Sequence, residues 1–102
     1  KTLVVAMGEF GRTPRMNSAA GRDHWGHTFS VLMAGGRFNM GQTIGSSDEH
    51  GAYVADRPLH PEDVTAPGYH RLGSDGRQVA IPDRAGRPRY LVETGEPIRE
   101  LL

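Results

Sequence analysis

Apolar positions in the first third of the chain come as continuous runs rather than in alternation. Thr2-Leu3-Val4-Val5-Ala6-Met7 is rich in β-branched residues and ends at Gly8, and Phe29-Ser30-Val31-Leu32-Met33-Ala34 is stopped by Gly35-Gly36. Runs of this kind predict strands buried on both faces. Between them, residues 11–24 form a glycine- and arginine-rich loop containing Pro14 and Asn17. It is longer than most connections in compact domains, which favours a functional role. Phe38, Met40, Thr43 and Ile44 lie among glycines and predict a short hairpin or edge strand near Gln42-Thr43-Ile44. Asp48-Glu49-His50-Gly51 then reads as a turn.

The stretch Leu59-His60-Pro61-Glu62-Asp63-Val64 predicts a helix start. Proline suits the first helical position, and the two carboxylates favour the positive end of the helix dipole. Val64, Tyr69 and Leu72 are the expected buried stripe and Gly73 the expected stop. Pro67-Gly68 interrupts this span, and proline costs ~3 kcal/mol in a helix interior, so a kink or split is expected there. Beyond Ser74, prolines and glycines leave room only for short elements: a strand at Tyr90-Leu91-Val92 and a last helical turn or tail over residues 98–102.

A chain of 102 residues fits one small domain or a piece of a larger one. A buried strand in a parallel sheet needs neighbours on both sides, and too few strands follow to provide them. The expectation is therefore an α/β protein of which residues 1–102 are the C-terminal portion of one domain. Formal charge is zero, with twelve basic and twelve acidic residues, so no electrostatic footprint points to nucleic acid or a membrane surface. Lys1 is the only lysine. Arginine's planar fork suits carboxylate, phosphate or sulfate, and equally suits surface ion pairs. The absence of cysteine excludes disulfides, zinc–thiolate sites and cysteine nucleophiles from these residues. No apolar stretch approaches the ~20 residues of a membrane span.

Candidate chemistry gathers in two clusters, Gly8-Glu9-Phe10-Gly11-Arg12 and Gly21-Arg22-Asp23-His24-Trp25. Glu9 stands where the first strand ends, a place where open α/β sheets put ligands. It suits a metal ligand, a general base or a partner for Arg12. Carboxylate combined with imidazole suits zinc, manganese or iron. His24 and His27 are three residues apart and would share a side only on a helical turn. Asp23 and His24, being adjacent, point apart on an extended backbone. Trp25 is either a pocket wall or core. Asp48 either lines the same cleft or braces a turn. No Ser-His-Asp order, P-loop or dinucleotide fingerprint is present.

The string Gly8-Glu9-Phe10-Gly11-Arg12-Thr13-Pro14, then Asn17 and Gly21-Arg22-Asp23-His24-Trp25, resembles a large bacterial family. So do Leu32-Met33-Ala34-Gly35-Gly36, Gly41-Gln42-Thr43-Ile44-Gly45, Arg57-Pro58-Leu59-His60-Pro61-Glu62-Asp63 and the ending Gly95-Glu96-Pro97-Ile98-Arg99-Glu100-Leu101. This is the exported, sulfatase-like domain-of-unknown-function family fifteen-oh-one, a distant relative of alkaline phosphatases and sulfatases. The resemblance implies the C-terminal part of an alkaline phosphatase-like three-layer sandwich with a mostly parallel sheet, and a periplasmic or cell-envelope location. It implies a divalent metal (zinc, manganese or calcium) with Glu9 and His24 or His27 as ligands. Phe10 stands where the superfamily's paired histidine would be, which removes one nitrogen ligand. An upstream ligand segment and the nucleophile lie outside these residues.

Two functions follow from the resemblance. In the first, the chain is part of a metal-dependent hydrolase of sulfate or phosphate esters, inactive without the N-terminal part of its domain. Arg12 or Arg22 then neutralises the non-bridging oxygens, and Asp23 orients His24 or Arg22. In the second, a non-catalytic sulfatase-like scaffold binds a glycan or a cell-surface partner. A third reading, from length alone, is a small independent binding module, for which exposed strand edges predict poor stability.

Overall fold

The computed structural model describes every residue from Lys1 to Leu102. The chain divides into two compact units, one of residues 1–35 and 41–58, the other of residues 36–40 and 59–102.

In the first unit the two apolar runs are strands, β1 (Leu3–Met7) and β4 (Val31–Gly35). They pair antiparallel, Leu3 opposite Gly35 and Met7 opposite Val31, as a sheet of two strands. Between them, β2 (Gly11–Arg12) and β3 (His24–Trp25) form a second antiparallel pair, and β5 (Ser46–Ser47) with β6 (Val54–Asp56) a third. The turn expected at residues 48–51 connects β5 to β6, whereas residues 42–44 form no strand. Gly35 ends β4 with a φ of 77°, in the left-handed region that glycine enters without a Cβ penalty. A Cβ there would also overlap the Thr2 carbonyl oxygen.

These pairings correct the expected fold. Every paired strand is antiparallel and every sheet has two strands, so there is neither a mostly parallel sheet nor a three-layer sandwich. The burial inferred from the runs is corrected as well: Val4 is 53% exposed and Leu32 61%. Apolar runs report that a strand forms and that it is greasy. They carry no information on the direction of its partner, and burial requires a layer to lie against each face.

In the second unit, α1 (Pro61–Arg71) starts where the sequence placed it. The Asp63 carboxylate accepts the His60 backbone N–H at 2.7 Å, closing the first turn, and its other oxygen accepts the Glu96 N–H at 2.8 Å. One carboxylate thus fastens the C-terminal segment to the helix start. The helix runs through Pro67 without a break, so it is not split there. Pro67 is the one large side chain that is fully buried, so burying its ring offsets the lost helical hydrogen bond. The core comprises Phe38, Ala66, Pro67, Val92, Ile98 and Leu101. Leu72, expected in the stripe, is instead 81% exposed at the C-cap, and Gly73 follows with φ 83° as the expected stop.

Further on, β7 (Ala80–Pro82) and β8 (Pro88–Tyr90) form an antiparallel hairpin. Its turn is organised by Asp83, which accepts the N–H groups of Ala85 and Arg87 and pairs with the Arg87 and Arg89 guanidinium groups. The strand expected at Tyr90-Leu91-Val92 therefore lies slightly earlier. A 3₁₀ turn, Arg99–Leu101, ends the chain as expected. No helix is long and apolar enough to cross a membrane.

Candidate functional site

The β2–β3 pair brings the two polar clusters together. Arg12 lies opposite His24 and Gly11 opposite Trp25, and Thr13 N–H extends the ladder to the Asp23 carbonyl at 3.0 Å. Glycine is required at position 11 because a Cβ there would overlap the Thr28 carbonyl oxygen. The long loop between the strands is a folded hairpin tip. Asn17 Oδ1 accepts the N–H groups of Ala19 and Gly21, both at 3.0 Å, and Asn17 Nδ2 donates to Asp23 Oδ1 at 3.0 Å. Ala20 takes a left-handed φ of 57° inside this turn.

The two arginines hold the base of the loop. One terminal nitrogen of Arg22 donates to the Thr13 carbonyl at 2.7 Å and to the Pro14 carbonyl, and Arg12 donates to the Arg22 carbonyl at 3.2 Å. Each guanidinium carries five N–H donors, so donors remain on both. Asp23, through Asn17, belongs to the same framework.

Glu9 is exposed, and its carboxylate takes no hydrogen bond or ion pair within the chain. His24 stacks on Phe10, the residue after Glu9, with ring centroids 3.9 Å apart. Arg12 sits over the other ring partner, its Cζ 5.5 Å from the Phe10 centroid. His27 goes elsewhere: it packs edge-on to Trp25 at 4.6 Å and against Tyr53 at 5.1 Å. The His24–His27 spacing thus spans two different ring clusters. No three His, Asp or Glu side chains converge as a set able to hold a metal ion.

Adjacent to the loop base is a groove of about 550 Å³ lined by Thr13, Pro14, Arg15, Trp25, His50, Ala52 and Tyr53. Trp25 and Tyr53 meet edge-to-face at 5.7 Å, and the indole N–H donates to the Ala52 carbonyl at 2.6 Å. The turn carrying Ala52 is set by Asp48. Its carboxylate accepts the N–H groups of Ala52 at 2.8 Å and His50 at 3.2 Å, while its own N–H donates to the Tyr53 carbonyl at 2.9 Å. The Ala52 N–H, foremost, holds the Asp48 carboxyl below the ordinary aspartate value. Of the two roles open to Asp48, it performs the turn-bracing one. Tyr53 and Arg15 carried no spacing signal in the sequence, because the groove is assembled from segments nearly forty residues apart.

The fold and this site define a small antiparallel α+β protein with an arginine-braced loop beside an aromatic groove. The chain belongs to the protein family of unknown function DUF1501, whose model matches residues 1–102. No curated protein and no solved structure matches it.

Proposed function

We propose that the chain is the C-terminal portion of a sulfatase-like, metal-dependent hydrolase of sulfate or phosphate esters that works outside the cytoplasm. The observation that carries the reading is the β2–β3 register, which sets Arg12 opposite His24, together with the Phe10–His24 stack, which ties the imidazole to the segment that carries the unpartnered Glu9. One carboxylate and one imidazole fit part of the donor set of a zinc, manganese or calcium ion, and the remaining ligands and the nucleophile come from residues outside this chain. The exposed apolar faces of the β1–β4 ribbon support further chain packing there.

Glu9 and His24 would contribute two ligands to a divalent ion, which would supply Lewis acidity toward an ester oxygen. The residues of the chain do the rest. Phe10 holds the imidazole plane, and Arg22 and Asn17 keep the loop from collapsing. The spare N–H donors of Arg12 and Arg22 stabilise negative charge on the non-bridging oxygens of the ester. Asp23 acts from behind, through Asn17.

A second reading, a non-catalytic scaffold that binds a glycan, is favoured by the lack of three converging ligands and by the aromatic groove. Elemental analysis separates the two. The protein expressed from its complete coding sequence and purified without chelators should carry near-stoichiometric divalent metal, lost in both Glu9→Ala and His24→Ala. A metal-free protein after reconstitution overturns the hydrolase and leaves the scaffold.

A further inference from the structure

The Trp25–Tyr53 groove is separate from the Glu9–His24 pair in the residues it uses, and its chemistry is of another kind. We infer that it binds a pyranose ring bearing an anionic substituent, with Trp25 and Tyr53 as the platform and Arg15 as the anion's partner. Three observations meet there.

The first is a preorganised aromatic wall. The indole is pinned through its N–H to the Ala52 carbonyl, and the Asp48 turn fixes that carbonyl in place. Little ordering remains to be done when a ligand arrives. Because its single donor is already used, the indole offers a ligand only π surface, and such a surface suits the C–H face of a sugar.

The second is the inventory of unused polar groups. The Tyr53 hydroxyl and the Arg15 guanidinium take no partner within the chain, while Thr13 is spent on the Arg15 carbonyl at 2.8 Å and on the Asp23 N–H at 3.1 Å. A phenol hydroxyl beside an aromatic platform serves a sugar hydroxyl, and an unpaired guanidinium serves a carboxylate or sulfate bidentately.

The third is size and charge. About 550 Å³ accommodates one or two sugar rings. Of the two carboxylates beside the lining residue His50, Glu49 faces its imidazole at 3.2 Å and Asp48 is engaged by the Ala52 and His50 N–H groups, so neither is spent on Arg15. Charge complementarity therefore selects an acidic sugar over a neutral one, with Arg15 supplying the discrimination.

The protein expressed from its complete coding sequence is titrated by calorimetry, with chelator present throughout, with methyl glucuronide, a methyl glucoside sulfate, unsubstituted methyl glucoside, and inorganic sulfate. Saturable heat with either acidic glycoside, about tenfold tighter than with the neutral one, is expected, since a hydrogen bond to a charged group carries that much discrimination. Which acidic glycoside binds tells a uronate from a sugar sulfate. Arg15→Gln should erase the preference and leave weak neutral-sugar binding, and Tyr53→Leu should weaken all glycosides together. Equal response to inorganic sulfate, equal affinity for the neutral glycoside, or no response overturns the proposal. Because chelator removes any role for Glu9 and His24, a failure here is distinct from failure of the hydrolase, which the metal content decides.

Discussion

Phe38, Ala66, Pro67, Val92, Ile98 and Leu101 leave solvent almost entirely, and all belong to the second unit; in the first unit no side chain does. The first unit is organised instead by directed polar contacts: Asn17, Arg22 and Arg12 in one loop, Asp48 in another, and a single indole N–H joining Trp25 to Ala52. Yet it holds the greasier strands, and it holds all the candidate chemistry. The contrast teaches that apolar content and burial are different quantities. A helix can close a core with six residues because Asp63 holds the Glu96 N–H and Gly95 lies close against the Glu62 backbone, which draws the C-terminal segment onto it. A two-stranded ribbon has no such partner and leaves both faces to solvent or to whatever packs there.

The largest test of this contrast is a pair of apolar truncations read by urea denaturation. Ile98→Ala, at 3% exposure, should cost roughly 2–5 kcal/mol, the range for emptying a packed site. Leu32→Ala, the same class of change in the first unit, should stay within about 0.5 kcal/mol. Equal losses would mean that the ribbon is packed and the comparison is wrong.

A smaller effect is expected from the glycines of the first unit. Gly11→Ala forces a methyl group against the Thr28 carbonyl and should cost on the order of 1–3 kcal/mol while disturbing Trp25 fluorescence. Gly26→Ala, where a Cβ meets nothing within 4 Å, should leave both readouts unchanged. If the two variants behave alike, backbone approach does not set the register of β2 and β3.

The smallest effect is a matter of pH. The Asp48 and Asp83 carboxyls both sit below the ordinary aspartate value in the folded chain, each held first by a backbone N–H, from Ala52 and Arg87 respectively. A depressed folded value means that the ionised form is the one the fold favours. Its contribution is complete above the unfolded value of about 4 and is lost as pH falls through the folded one. Acid should therefore loosen the Trp25 environment through Asp48 and the β7–β8 hairpin through Asp83, and Asp48→Asn should remove the first acid limb while Asp83→Asn leaves it in place. A Trp25 acid limb that survives Asp48→Asn would refute the separation.

Much of the local structure was legible in the chain. Pro61 with Glu62 and Asp63 marked the helix start, Gly73 its stop, Asp48 a turn, and the two apolar runs the strands β1 and β4. The two polar clusters were legible in the sequence, and the local β2–β3 pair brings Arg12 of the first opposite His24 of the second. The aromatic groove was not, since Tyr53 and Arg15 meet Trp25 only through tertiary packing. The same limit left a split at Pro67 open, because the cost of the proline is local while its compensation comes from the surrounding core.

What the sequence by itself determined is where each element begins and ends, because capping groups, glycines and β-branched runs act over a few residues. Strand direction, the exposure of β1 and β4, the parting of His24 from His27 and the making of the groove were decided by the tertiary structure. Each depends on which distant segment arrives as a neighbour, and on whether that neighbour brings a matching backbone edge, a ring or a carbonyl oxygen.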